Sequence, residues 1–279
     1  MFSRINFSYR LLILMAILIV LSFALPIVHL TNADSILTSA TFLFSVIYGF
    51  EISVVIGNFS ALKTALAIET AGLTTIYKLA DILGGESFRK IGENLENYIL
   101  MAIDVPLADH LKTDPEFFKI FEPLKEISEV NGAQREQALQ YLNEAIYYVP
   151  QSRNQVAEVA PRFVDNSVWV MLGFLATILV MVLFIGRDAD LFSQLTAAVF
   201  SATVIGALML LDEIDSNRIR EAHLEYEMFN NTLKAIGKPG YYPEFAIKSG
   251  IINNPVRPYR VGIFPNPSSL DGRKIEVVN

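Results

Sequence analysis

Apolar residues along this chain gather into four long runs, at 11–30, 36–56, 168–185 and 191–211, and polar residues fill the stretches between. At ~1.5 Å per residue each run is long enough to cross the ~30 Å hydrocarbon core of a bilayer. The connections within each pair, 31–35 and 186–190, are too short to fold. The pattern predicts an all-α integral membrane protein with four transmembrane helices. They form two hairpins, 1–57 and 168–211, separated by a helical insert at 58–167. A helix at 212–236 and an extended proline-rich tail at 237–279 complete the organisation.

Within the insert, Leu62, Leu66, Leu73, Ile76 and Leu79 recur at helical spacing. No proline lies between Ile36 and Pro106. The second run is therefore expected to continue as one long helix that stops at Gly84-Gly85. Further helices are expected at 86–101, 114–130, 133–148 and 152–159, with Pro115 in a first turn and a kink at Pro123. No stretch alternates at strand period for long enough to suggest a sheet. The tail holds six prolines among 43 residues, yet it also carries Tyr241, Tyr242, Phe245, Tyr259 and Phe264. That composition is unlike a disordered linker. It points to a strap docked on its own insert or on a neighbouring subunit.

Composition agrees: 52% of residues are hydrophobic and the mean hydropathy is +0.40. Arg4 and Arg10 precede the first run, ten Lys and Arg lie in the insert and nine follow Asp212, whereas the two tight loops hold only Arg187. Basic short flanks stay inside. Both termini and the insert are expected in the cytoplasm, with the spans in a bacterial inner membrane. A cleaved signal peptide is the rival reading of the first run, but its ~20 apolar residues exceed the usual ~7–15. The net charge of −7 speaks against nucleic acid as a partner. With no cysteine there is no disulfide, thiolate metal site or Cys nucleophile. No P-loop, dinucleotide glycine pattern or nucleophile elbow occurs, so no enzyme is expected.

Three stretches resemble the bestrophin-like family of four-helix membrane proteins, catalogued as a domain of unknown function. One is 60–83, where the family places a Glu inside an Ala-rich helix followed by a Leu-Tyr pair; here these are Glu69 and Ile76-Tyr77. The second is 98–107, where Asp104-Val105-Pro106 stands for the family's acidic-Trp-Pro. The third runs from Arg153 through Pro161 to Trp169. The resemblance covers roughly residues 10–236. One departure follows the fourth run, where Leu211-Asp212-Glu213-Ile214-Asp215 keeps only the Asp of an Asp-Arg-Pro-Phe-x-Gly pattern. True bestrophins are pentameric anion channels lined by their second helix. The resemblance implies that function by analogy of fold.

The candidate pore face lies on the second run. Thr41, Ser45, Tyr48 and Glu51 fall within a ~120° arc at ~100° per residue, and Phe44 adds aromatic bulk beside them. The same groups are also suited to packing within their own bundle. Glu51 is the only ionisable side chain well inside an apolar run; in a pore it would favour cations, against the anion analogy. Glu69, mid-helix among small residues, is expected to pair with a base of the insert, Arg153 first, or to take part in gating. Asp212, Glu213 and Asp215 carry oxygen ligands of the kind Ca²⁺ takes, and true bestrophins place an acidic Ca²⁺ clasp there. The competing reading is a solvated helix N-terminus, and no cofactor is otherwise expected. His29, His110 and His223 are isolated in sequence. The function expected is a homo-oligomeric ion channel. Its alternative is a non-conducting scaffold or accessory subunit whose insert and tail bind a protein partner on the cytoplasmic side.

Overall fold

The long second helix is present: α2 runs without a break over Ala33–Leu83, 51 residues. It ends where Gly84 and Gly85, at φ +68° and +66°, take left-handed backbone. This computed structural model describes residues 7–27, 33–126, 132–161, 164–215, 220–265 and 272–279. Four of its helices are long and apolar enough to cross a membrane: α1 (Phe7–Ala24), α2, α6 (Asn166–Ile185) and α7 (Leu191–Asp215). The others are α3 (Gly85–Asp104), α4 (Asp114–Lys119), α5 (Ala133–Val159), α8 (Arg220–Ala235) and α9 (Glu244–Lys248).

The chain divides into two compact units. The first comprises Met1–Gly57 and Arg162–Asn217. In it α7 packs on α1 and on α6. Ala198, Ala202 and Gly206 recur every fourth residue on α7, and a Cβ on Gly206 would meet Leu11 at 2.8 Å. Small residues let the two backbones approach where apolar solvent supplies no hydrophobic drive. Ala40, Phe44 and Val55 of α2 join Leu172, Leu175, Leu179 and Leu211 in a second cluster. Arg187, counted above as a loop charge, is buried instead. It donates to the carbonyls of Ser22, Leu25 and Phe184, at the C-terminal ends of α1 and α6. There the helix dipoles favour a cation.

The second unit comprises Asn58–Pro161 and Arg218–Asn279. Its core joins Leu62, Leu66, Leu73 and Ile76 of α2 to Ile91, Leu95 and Ile99 of α3, Leu142 and Val149 of α5, and Phe229 and Leu233 of α8.

Three expectations change here. The helix expected at 114–130 is replaced by α4 and a 3-10 segment, Glu122–Glu126, and another 3-10 segment, Leu107–Thr113, precedes it. Pro123 lacks the N–H that a longer helix needs; residues 127–131 lie outside the described residues. The helices expected at 133–148 and 152–159 are one helix that passes through Pro150. Val149 and Val156 are fully buried on either side of the proline, so packing holds both halves in line. The tail is not only an extended strap, and the all-α class needs amending. Strands β1 (Gly240–Pro243), β2 (Tyr259–Ile263) and β3 (Lys274–Val278) form a sheet in the order β1-β2-β3, the first pair parallel and the second antiparallel. Strands of four and five residues are too short to show an alternating pattern. The sheet lies against its own insert, with Tyr241 and Ala246 in the core of the second unit.

Gly262 of β2 faces the Tyr241 ring, and a Cβ there would lie 1.8 Å from the hydroxyl. Tyr241 is fully buried and cannot swing away. Gly262→Ala should therefore destabilise the second unit by about 1–3 kcal/mol. The check is a lower melting temperature together with faster proteolytic clipping after residue 237.

Candidate functional site

Two sets of residues on α2 are candidates, one in each unit. In the first unit Thr41 and Ser45 are exposed. Gly49, Ser53 and Gly57 follow at the same four-residue spacing, and all are exposed. A Cβ on Gly49 or Gly57 would meet nothing within 4 Å. The face is thus a row of small and hydroxylated residues that winds slowly around the helix. The expected arc divides: Tyr48 and Glu51 are half-buried, and Phe44 turns inward, 7% exposed. Phe44 stacks on Tyr48 with ring centroids 5.7 Å apart. An aromatic at that angle fills the unit's own core, so Phe44 is not part of the exposed face. Sequence reasoning carried the arc from Ser45 on to Tyr48 and Glu51 instead of to Gly49, because glycine carries no side chain to mark a face.

In the second unit the pivot is Glu69. Glu69, Tyr98, His110 and Thr113 are 0% exposed and Arg153 is 1% exposed. The Tyr98 hydroxyl donates to Glu69 Oε1. His110 Nε2 lies 2.9 Å from Glu69 Oε2 and 3.1 Å from Oε1. Arg153 and Glu69 do meet, at 3.5 Å. Arg153 also donates to the Tyr98 hydroxyl, to Thr113 Oγ1 at 3.0 Å and to Asp114 Oδ1 at 2.6 Å. Its guanidinium sits 4.5 Å from the Phe117 ring centre and 4.8 Å from that of Tyr98. Five elements thereby converge: α2, α3, the 3-10 segment Leu107–Thr113, α4 and α5. Burial pushes the Glu69 carboxyl up, but His110, Arg153 and the Tyr98 hydrogen bond outweigh it and hold the group below the usual range. Burial, then the Glu69 charge, push the Tyr98 hydroxyl well above its ordinary value. Tyr98, His110, Thr113 and Asp114 are missed from sequence, since no spacing or motif connects them to Glu69.

A second pair of acids, Glu96 and Asp104 of α3, grips the tail. Lys238 Nζ lies 2.6 Å from Glu96, and Arg260 of β2 donates to the same carboxylate. Asp104 accepts from the Tyr241 hydroxyl at 2.8 and 3.0 Å and from Arg273 at 2.6 Å. The two acids are displaced in opposite directions. Burial pushes Glu96 up, but Lys238 and Arg260 prevail and hold it low. At Asp104 burial prevails over Arg273 and Tyr241, and its pKa rises to about 6.

The acids of the run after the fourth apolar stretch differ in burial. Asp215 is buried and accepts from the backbone N–H of Val164 at 3.2 Å, whereas Asp212 is exposed. Among the described residues no three His, Asp or Glu side chains are placed to hold an ion. His110, isolated in sequence, is a partner of Glu69. The side chain of His223, like all of His29, lies outside the described residues.

A family model, the Bestrophin-like domain, matches residues 29–216. The chain belongs to the bestrophin-like family. It is mostly helical and, with its apolar helices, a membrane protein. A search of curated proteins finds no match. The bestrophin-like match takes in the row on α2 and the Glu69 cluster; Tyr241 and Arg273, the tail partners of Asp104, lie beyond it.

Two outcomes are expected of this bestrophin-like protein. Removing one member of a buried ion pair strands the other, at a typical cost of 3–5 kcal/mol. Glu69→Gln should lose about that much, and adding Arg153→Met should recover a large part of it, read from denaturation midpoints in detergent. Asp104 holds its proton more tightly in the folded chain, at about 6, than an unfolded Asp at ~3.9. Its stabilising contribution is therefore full below about pH 4 and is lost as pH rises through 6, amounting to roughly 3 kcal/mol at most. The protein should melt higher at pH 5 than at pH 7.5, and Asp104→Asn should reduce that difference.

Proposed function

We propose that this chain is the subunit of a homo-oligomeric ion channel of bestrophin type, with the first part of α2 lining a shared axial path. Four helices cross the membrane as two hairpins, and the termini, insert and tail lie in the cytoplasm. The reading rests on one observation: the α2 row Thr41, Ser45, Gly49, Ser53 and Gly57 is left exposed. Hydroxyl groups facing lipid gain nothing from it, so such a face calls for water or for a neighbouring copy. Membership of the bestrophin-like family supports the same reading. The conducted ion is an anion, since the row itself carries no acid and Glu51 lies outside it, half-buried.

The absence of native cysteine makes the test direct. Single cysteines at positions 41, 45 and 53 should react with a charged, membrane-impermeant thiol reagent, and chloride flux from proteoliposomes should fall several-fold. A cysteine at 44 should leave flux unchanged. Flux through no protein at all, with these cysteines unreactive, would replace the channel by the scaffold reading.

A further inference from the structure

His110 is the one member of the buried cluster with a polar atom left over. Its Nε2 is engaged by both oxygens of Glu69. Its Nδ1 is buried and has no hydrogen-bond partner among the described residues. The ring rests beside Phe229 of α8, centroids 6.2 Å apart. From α2 comes the Glu69 carboxylate, from α3 the Tyr98 hydroxyl 3.4 Å away, and from α8 the apolar Phe229 ring. Arg153 of α5 reaches Glu69 from the other side and carries Asp114 of α4 with it. On its own segment, Asp109 and Lys112 pair with each other at the surface, 2.9 Å apart.

A neutral imidazole has one N–H. Donation to an ionised Glu69 places that hydrogen on Nε2, so on the ring an incoming proton has only Nδ1 to go to. The charge count shows what the proton does. Without it, the cluster holds two carboxylates, Glu69 and Asp114, against the single guanidinium of Arg153. With it, the count is two against two, and the Glu69–His110 hydrogen bond becomes an ion pair in a site closed to water. Charges attract more strongly there than at a surface.

We propose that the Glu69–His110 pair is a proton-binding site, and that the proton taken up at His110 Nδ1 tightens the insert around α2. Proton uptake is a property of the second unit alone, so the site exists whether or not the protein conducts. Its place in the fold gives it reach: Glu69 is where α2, α3, α4 and α5 are tied together.

The chain has three histidines, so His29→Gln with His223→Gln leaves His110 as the only signal in ¹³C-histidine NMR of the full chain in nanodiscs. The His110 resonance should titrate reversibly between pH 5 and 8.5. Glu69→Gln should move the midpoint down by about one pH unit or more, the effect of removing an opposite charge at this distance. Should that variant not fold, Asp114→Asn at the exposed edge of the cluster should move it in the same direction by less. Melting gives a second readout in an Asp104→Asn background, which silences Asp104 and its pKa of about 6. There the remaining rise in melting temperature on acidification should vanish with His110→Gln. A resonance that does not move over the range, or a midpoint unaltered by loss of either carboxylate, would overturn the proposal. So would a melting rise that survives His110→Gln.

Discussion

A carboxylate cannot be buried without partners, and the second unit is organised around satisfying one. Glu69 exposes no surface. The idealised cost of moving such a charge out of water is of order 20 kcal/mol in a dry interior, and several kcal/mol after relaxation. The partners it recruits come from far along the chain: Tyr98, His110 and Arg153. Arg153 is itself buried and needs more acceptors than Glu69 supplies. It takes Thr113 and Asp114, which fixes the 3-10 segment and the start of α4. The requirement thus propagates outward until it reaches a group that water can solvate, the partly exposed Asp114.

The same rule recurs with different partners. Arg187 in the first unit has carbonyl oxygens at the ends of α1 and α6 in place of an acid. On α3, Glu96 has two cations and Asp104 has one cation with a tyrosine hydroxyl. Two cations outweigh the shallower burial of Glu96, whose side chain is 14% exposed, and one cation does not outweigh the deeper burial of Asp104, 1% exposed.

Sequence patterning reads long features well and short ones poorly here. Four apolar runs and the extent of α2 are legible because each repeats one signal over many residues. The Glu69–Arg153 contact is legible because a lone acid in an apolar helix needs a base. The other members of that cluster are not, since a fully buried Tyr98 or His110 looks in sequence like any core residue. Pro150 misleads in the other direction. Its local cost argues for a break, and the buried residues on both sides outweigh it. The tail sheet escapes notice because its strands are short and separated by proline-containing stretches. Phe44 shows a further limit: an arc drawn on a helical wheel does not say which side of it meets the protein's own core.

The two clasps on α3 stand eight residues apart, slightly more than two helical turns or about 12 Å along the axis. Glu96 meets the tail through β2, and Asp104 meets it through β1 and the residue leading into β3. The spacing between strands and the spacing between turns are thereby locked together, like two scales read against one another. A residue gained or lost between Glu96 and Asp104 would rotate one acid by about 100° relative to the other. Only one of the two grips would then stay in place. That stretch of α3 is consequently a segment of fixed length, able to change its side chains over time but not its number of residues.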